Sequence, residues 1–355
     1  MDLTDKSREM REGERLDVLK VERFLRERIP GLRGNAAVEQ FPSGYSNLTY
    51  LIRFGERELV LRRPPFGTKA KTAHDMKREY TILSTLHPVF HYCPRPILYS
   101  DDTAVMGCPF YVMERIRGII LRKDLPEGLS FAPLDARKLC EGLMDVHIGL
   151  HAIDYKKVGL GDFGRPEGYI RRQVDRWSER YRNARTDDAP DFESVMAWLQ
   201  EKMPGEADRP CIVHNDYKLD NVVLAVENPL KIIGVLDWEM ATIGDPLMDL
   251  GSSLAYWVQA DDPPEFQAIR MMPTDMPGAM TREELVRRYE EKSGVRIGSF
   301  DFYYCFGLFR LAGIAQQIYY RYYHGQTSDR RFALLIFAVS ALEQAAKGVI
   351  GRSVR

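Results

Sequence analysis

The stretch 211–250, CIVHNDYKLDNVVLAVENPLKIIGVLDWEMATIGDPLMDL, limits what this chain can become more than any other part of it. Two apolar runs of β character, Cys211–Val213 and 221–226, flank a polar loop formed by His214, Asn215, Asp216, Tyr217, Lys218, Leu219, Asp220 and Asn221. A third run, 231–236, ends at Asp237, Trp238 and Glu239. Short apolar runs bounded by polar clusters read as strands. Asp216 and Asp237 are therefore expected where a strand stops, which is where a rigid scaffold can aim a side chain.

The spacing carries chemistry. Asp216 and Asn221 lie on one short loop that can fold back on itself. An aspartate there can orient a substrate hydroxyl and accept its proton, and an asparagine offers a neutral oxygen to a hard cation. Asp237 would add a carboxylate to the same cation. Mg²⁺ favours such oxygen ligands and completes its shell with phosphates and water. H-x-D-x4-N followed by a strand-terminal Asp is the phosphoryl-transfer arrangement of kinases. The bland alternative is a hairpin with polar turns and a hydrogen-bonded loop histidine.

On HNDYKLDN, LDWE and GDPLMDL the chain resembles the aminoglycoside phosphotransferase and choline kinase-like family, which has the protein-kinase-like fold. FPSGYSNLTY, VLRRPP, TAHDMKREY and PFYVMERIRG extend the resemblance over most of the chain, and look most like the kinase-like domain fused to acyl-CoA dehydrogenases. The resemblance implies an α+β, bilobal fold: a small N-terminal lobe with an antiparallel sheet plus helix (1–113), a hinge (114–118) and a larger, mainly helical C-terminal lobe (119–355). It implies ATP and Mg²⁺ as cofactors, Asp216 as the catalytic residue, and Asn221 and Asp237 as metal ligands. The turn with Ser43, Gly44, Ser46 and Asn47 resembles the family's nucleotide loop, although it has a single glycine. Arg62 stands where kinases usually carry the phosphate-binding lysine, and Glu79 is its expected partner. Arg is an obligate cation with a planar donor fork, so it binds phosphate with a different geometry from Lys. The hinge residues Met113, Glu114 and Arg115 would read the adenine edge through their backbone.

Composition bounds the rest. A length of 355 residues suggests about two domains. The net charge of −1 gives no bulk attraction to nucleic acid or to an anionic membrane. Five scattered cysteines without C-x-x-C read as reduced, buried thiols, and the charged N-terminus shows no secretory pattern, so a cytoplasmic protein is expected. The most apolar long run, 300–323, is interrupted by Arg310 and Arg321.

In chain order, 16–29 reads as an amphipathic helix, 38–61 as three strands, 72–86 as a helix, and 97–100 and Phe110–Glu114 as strands. Gly118 would let the chain turn. Helices are expected over 134–151, 164–182, 192–202, 281–293, 300–323 and 328–349, with a loop over 261–280. Asp245 should cap a helix that starts at Pro246, and Asp249 could bond back to the 214–221 loop. The resemblance implies that His151 and Asp154 support that loop, and His214 is expected to fix it by hydrogen bonds. The pairs His87/His91 and His147/His151 read as structural rather than metal-binding. Arg171, Arg172, Arg176 and Arg180 give 164–182 a basic strip that either faces solvent or receives an anion. Arg310 reads as structural.

The expected function is transfer of the ATP γ-phosphate to the hydroxyl of a small molecule. The resemblance to the dehydrogenase-fused domain implies a hydroxyacyl compound or its CoA thioester as acceptor; the alternative is an aminoglycoside or amino alcohol met by the acidic Asp261-Asp262-Pro263-Pro264-Glu265 loop. A functional link to an acyl-CoA dehydrogenase would be between separate chains. A nucleotide-binding module without catalysis and a metal hydrolase are the rival readings.

Overall fold

Strands β1 (Ala36–Gln40), β2 (Leu48–Phe54) and β3 (Arg57–Arg63) join β4 (Pro96–Ser100) and β5 (Phe110–Glu114) in an antiparallel sheet of order β1-β2-β3-β5-β4. This computed structural model describes residues 3–42, 47–65, 75–327 and 329–353. The chain divides into two units, 1–120 with 222–241, and 121–221 with 242–355. The sheet belongs to the first. Residues 222–241 group with the sheet in the first unit.

Register sorts the side chains. Thr49 opposes Arg62, and Arg62 opposes Tyr111; Leu51 opposes Val60, and Val60 opposes Met113. Directly opposed residues share a face, so Arg62, Val60, Tyr111 and Met113 lie together. The other face carries Tyr50, Ile52, Leu59, Leu61 and Val112, packed with Val21, Phe24 and Leu25 of helix α1 (Val18–Arg28). Asp17 caps α1 by accepting from the Lys20 N–H. Helix α2 (Met76–Leu86), capped by Asp75, sets Tyr80 5.9 Å from Tyr99 and 6.3 Å from Tyr111, and so covers the Arg62 face. The sequence left α3 (Thr103–Met106) unanticipated.

Strands β7 (Val222–Leu224) and β8 (Ile232–Val235) form a hairpin in the first unit. Ile119 and Leu224 exchange backbone hydrogen bonds of 2.8 Å. A Cβ on Gly118 would stand 2.3 Å from the Leu224 carbonyl oxygen, and its φ is not left-handed. The glycine therefore serves close approach and not a turn.

In the second unit β6 (Cys211–Val213) pairs with β9 (Thr242–Gly244). Helices α4 (Pro133–His151), α5 (Tyr169–Ala184), α6 (Glu193–Glu201), α7 (Pro246–Leu254), α9 (Arg282–Ser293) and α10 (Asp301–Tyr323) follow the periodic patterns closely. A short helix α8 (Pro264–Ala268) interrupts the expected 261–280 loop. The final helix α11 (Leu335–Ser353) starts later than expected, behind a 3₁₀ turn over Arg330–Leu334. By length and composition alone, and among the described residues, Arg330–Ser353 and not 300–323 is apolar enough to cross a membrane (mean hydropathy 1.6 over its most apolar 18 residues, 33% of them buried). All five cysteines are free, four of them buried.

Two glycines bring α7 against α10. A Cβ on Gly251 would meet the Tyr303 carbonyl oxygen at 2.2 Å, and one on Gly307 the Gly251 carbonyl oxygen at 2.1 Å. Both obstacles are backbone, so a side chain must push one helix away. Gly307→Ala is expected to cost about 1–3 kcal/mol in the denaturant-unfolding free energy; an unchanged midpoint would contradict the close approach.

Candidate active site

Arg62 is the centre of the first unit's polar cluster. It is 7% exposed, on the covered face of β3. Its guanidinium lies 3.4 Å from Glu79, 2.9 Å from Asp237 and 3.6 Å from Glu239. Asn47 donates to Glu239 at 2.7 Å. Burial alone would lower the Arg62 pKa, but Glu79, Asp237 and Glu239 outweigh it and hold it well above the ordinary value. Burial raises the Glu79 carboxyl, against the opposing pull of Arg62. Asp237 has a left-handed backbone, φ 67°, rare for a non-glycine residue and concentrated at functional sites. One guanidinium thus sits among three carboxylates. The surplus of hard oxygen donors around Asp237 suits a divalent cation.

The structure brings Arg62, Glu79, Asp237 and Asn47 together. Ser43, Gly44 and Ser46 lie outside the described residues. Met113 is buried opposite Val60, and Glu114 ends β5, its N–H donating to the Arg95 carbonyl at 2.8 Å. Arg115 bonds Glu58 at 2.9 Å and the Asp5 carbonyl at 2.6 Å, so its side chain braces the fold. Glu239 was missed in the sequence reading, although the acidic end of LDWE was its visible signal.

The second unit's cluster is built on Asp216. Its Oδ2 accepts from Asn221 Nδ2 at 2.8 Å and lies 3.0 Å from Lys218 Nζ. Both contacts use Oδ2, which leaves Oδ1 to accept a proton. Asn221 Nδ2 also donates to the Asp216 carbonyl at 2.8 Å, closing the loop on itself as the spacing predicted. Lys218 was missed too. Burial alone would lower its pKa, but Asp216, Tyr256 and Asp220 hold it well above normal, so it stays an ammonium. It rests over the Tyr256 ring at 4.5 Å.

Asp249 fastens the loop. It is fully buried at the start of α7, whose cap Asp245 accepts from the Leu247 and Met248 N–H groups. Asp249 Oδ2 accepts from the His214 N–H at 2.7 Å and from His147 Nε2 and His151 Nε2 at 3.0 and 3.1 Å. Its Oδ1 accepts from the Asn215 N–H at 2.7 Å. His214 Nδ1 accepts from the Asp216 N–H at 3.3 Å, and Arg310 donates to the Asn215 carbonyl at 2.6 Å. Asn215 is left-handed, φ 63°, a conformation asparagine tolerates. Asp154, expected behind this loop, is instead exposed and bonds the N–H groups of Lys156 and Lys157. Its acceptor geometry is satisfied locally, within its own turn.

Ligand atoms of His147, His151 and Asp249 lie within 4.8 Å of one another. Hydrogen bonds already account for this grouping, since one carboxylate takes two imidazoles and two backbone donors. Burial first, then His151, lowers the His147 pKa from 6.5 to about 4. Between those values the unfolded chain binds a proton that the fold refuses. Stability is therefore full above pH 6.5 and falls towards pH 4, by on the order of 3 kcal/mol. Burial alone would raise the Asp249 carboxyl, but His147 and His151 hold it well below 3.8, which extends the loss to still lower pH. Urea midpoints at pH 7 and 4.5 measure this; equal midpoints would contradict a neutral, buried His147.

Comparison with known proteins gives these clusters a family. The rat protein named acyl-CoA dehydrogenase family member 11 (Rattus norvegicus) is 31% identical over 351 residues, covering 97% of this chain and 44% of its own length. Mouse family member 10 (Mus musculus) is 35% identical over 292 residues, 82% of this chain and 27% of its own. The chain thus spans less than half the length of these relatives. A crystal structure from Ralstonia eutropha, provisionally described as an aminoglycoside phosphotransferase, superposes with a TM-score of 0.78 at 30% identity, covering 95% of this chain and 99% of that one. Choline kinase from Cryptosporidium parvum shares the fold, with a TM-score of 0.63 at 14% identity over 95% and 98% of the two chains. So does a spectinomycin phosphotransferase solved with ADP and spectinomycin, at 0.59 and 12% over 93% and 98%. The pattern of the phosphotransferase enzyme family matches residues 37–281, and the chain belongs to that family.

Proposed function

We propose that this chain transfers the γ-phosphate of ATP to the hydroxyl of a small molecule in the presence of Mg²⁺. The observation that carries the reading is the buried Arg62 held among Glu79, Asp237 and Glu239. An obligate cation fixed at that depth can neutralise nucleotide phosphates, and the surplus carboxylate calls for a metal. Asp237 and Asn221 are the residues proposed to hold Mg²⁺, which when bound would offset phosphate charge. Asp216 orients the acceptor hydroxyl through Oδ1 and takes its proton as the acceptor oxygen bonds to phosphorus and the β–γ bridging bond breaks, releasing ADP. Lys218, 3.0 Å away, pairs with Asp216 and holds it in place. Positioning and electrostatics supply most of the catalysis, because a metaphosphate-like transition state needs little covalent help.

For the acceptor, we favour a hydroxyacyl compound or its CoA thioester over an aminoglycoside. The acidic loop that would greet a polycation is partly engaged internally: Arg282 neutralises Asp262 with bonds of 2.5 and 2.7 Å, and Asp261 accepts from the Gln259 amide. The names of the relatives make a functional link to an acyl-CoA dehydrogenase part of this proposal, in a cytoplasmic setting. The test is to incubate the protein with Mg-ATP and pools of hydroxyacyl-CoAs, hydroxy acids, amino alcohols and aminoglycosides. Mass spectrometry then looks for an added phosphate. A labelled hydroxyacyl compound supports the proposal. Mg-ATP binding without transfer to any pool favours a non-catalytic module, and phosphate release at turnover rates without an acceptor favours a hydrolase.

A further inference from the structure

The basic face of α5 is not consumed by folding. Tyr169, Ile170, Val174, Trp177 and Tyr181 form its buried side, while Arg176 and Arg180 are exposed. Arg182 pairs with Glu193 at 2.6 Å, whereas Arg176 and Arg180 have no carboxylate partner among the described residues. The Arg180 guanidinium lies 4.9 Å from the centre of the Trp177 ring, and Arg310 of α10 lies 5.3 Å from the same ring. Arg176 stands one helical turn before Arg180, on the same stripe. Two guanidinium groups therefore lie over one indole, and Arg176 adds a third positive charge next to Arg180. Partial desolvation first, then the charges of Arg176 and Arg310, lower the Arg180 pKa. Gathering like charges is unfavourable until an anion joins them.

The cluster also adjoins the reacting loop. Arg310 donates to the carbonyl of Asn215, the residue before Asp216. The Trp177 ring is fixed from the α10 side, where a Cβ on Gly313 would meet it at 3.0 Å. A fixed aromatic platform restricts the Arg180 side chain before any ligand arrives, which reduces the ordering cost of binding.

We propose that Arg180, set on Trp177, and Arg176 one turn before it form a subsite for an anionic group, carboxylate or phosphate, of the hydroxyl acceptor. Guanidinium forks match the paired oxygens of both groups. The inference rests on the phosphotransfer reading and narrows it to acceptors that carry negative charge. Arg310 is a positioning residue here, since it ties the cluster to the Asp216 loop.

The test is calorimetric binding of pyrophosphate and of citrate to the full chain, in wild type, in R176E/R180E and in R62A. At least one probe should bind wild type, weaken about tenfold or more in R176E/R180E, and keep its affinity in R62A. Citrate alone or pyrophosphate alone would tell a carboxylate site from a phosphate site. No binding to wild type, equal affinity in all three proteins, or loss in R62A in place of the double variant would overturn the subsite. Should R176E/R180E fold poorly by circular dichroism, R176Q/R180Q replaces it under the same criteria. Because this readout needs no turnover, the subsite can stand if phosphate transfer is never found. Conversely, transfer can be found with an acceptor whose KM the double variant leaves unchanged, which would sink the subsite alone.

Discussion

Phosphate transfer by the Asp216→Asn protein is expected to fall by about 10²–10⁴-fold, with Mg-ATP binding little changed. The amide has the size of the carboxylate but cannot take the acceptor's proton. It also places a neutral group 3.0 Å from the Lys218 ammonium, which then loses its nearest counter-charge. The informative measurement is the split between kcat and KM for the nucleotide. A fall in kcat with the nucleotide KM preserved supports proton acceptance by Asp216. Equal activity in wild type and variant would remove Asp216 from the mechanism, and a pure rise in nucleotide KM would reassign it to binding.

The Asp249→Ala protein is expected to lose about 3–5 kcal/mol of stability, the largest effect on folding of any single change considered. The carboxylate is fully buried and receives two backbone N–H groups and two imidazoles. Its removal leaves all four donors in a dry interior without their acceptor, and each unsatisfied buried donor carries a desolvation penalty of roughly 1–3 kcal/mol. In a protein of 355 residues each kcal/mol lowers the melting temperature by about 1–2 °C. Denaturant unfolding of wild type and variant at pH 7 measures the loss. A change under about 1 kcal/mol, the mean for ordinary substitutions, would mean that the loop is held by other contacts. Because the N–H groups belong to His214 and Asn215, the variant should also lose activity beyond its loss of folded protein.

Much of the candidate site was legible before the fold. Asp216, Asn221, Asp237, Arg62 and Glu79 were found from loop chemistry and from a resemblance carried by short motifs. The geometry then set Arg62 beside Glu79 and Asp237 within one unit, and Asp216 beside Asn221 within the other. Glu239 and Lys218 escaped notice because a charge beside a motif looks like a solvated charge until burial is known. Asp154 was over-read for the opposite reason. It follows a helix end near two histidines in sequence, yet its oxygens are satisfied by its own turn.

By itself the sequence determined much of the local structure: the helix cap at Asp245, strands set by alternation, and acidic residues placed where strands stop. These depend on interactions a few residues long, which composition and spacing encode directly. Only the tertiary structure decided the pairing of β6 with β9, the service of Gly118 as a contact point, and the gathering of His147 and His151 on the carboxylate that Asp249 offers to the 214–215 backbone. Those arrangements join residues far apart in the chain. They arise because buried donors and acceptors must find partners wherever the packed core brings them, and no local pattern records which partner that will be.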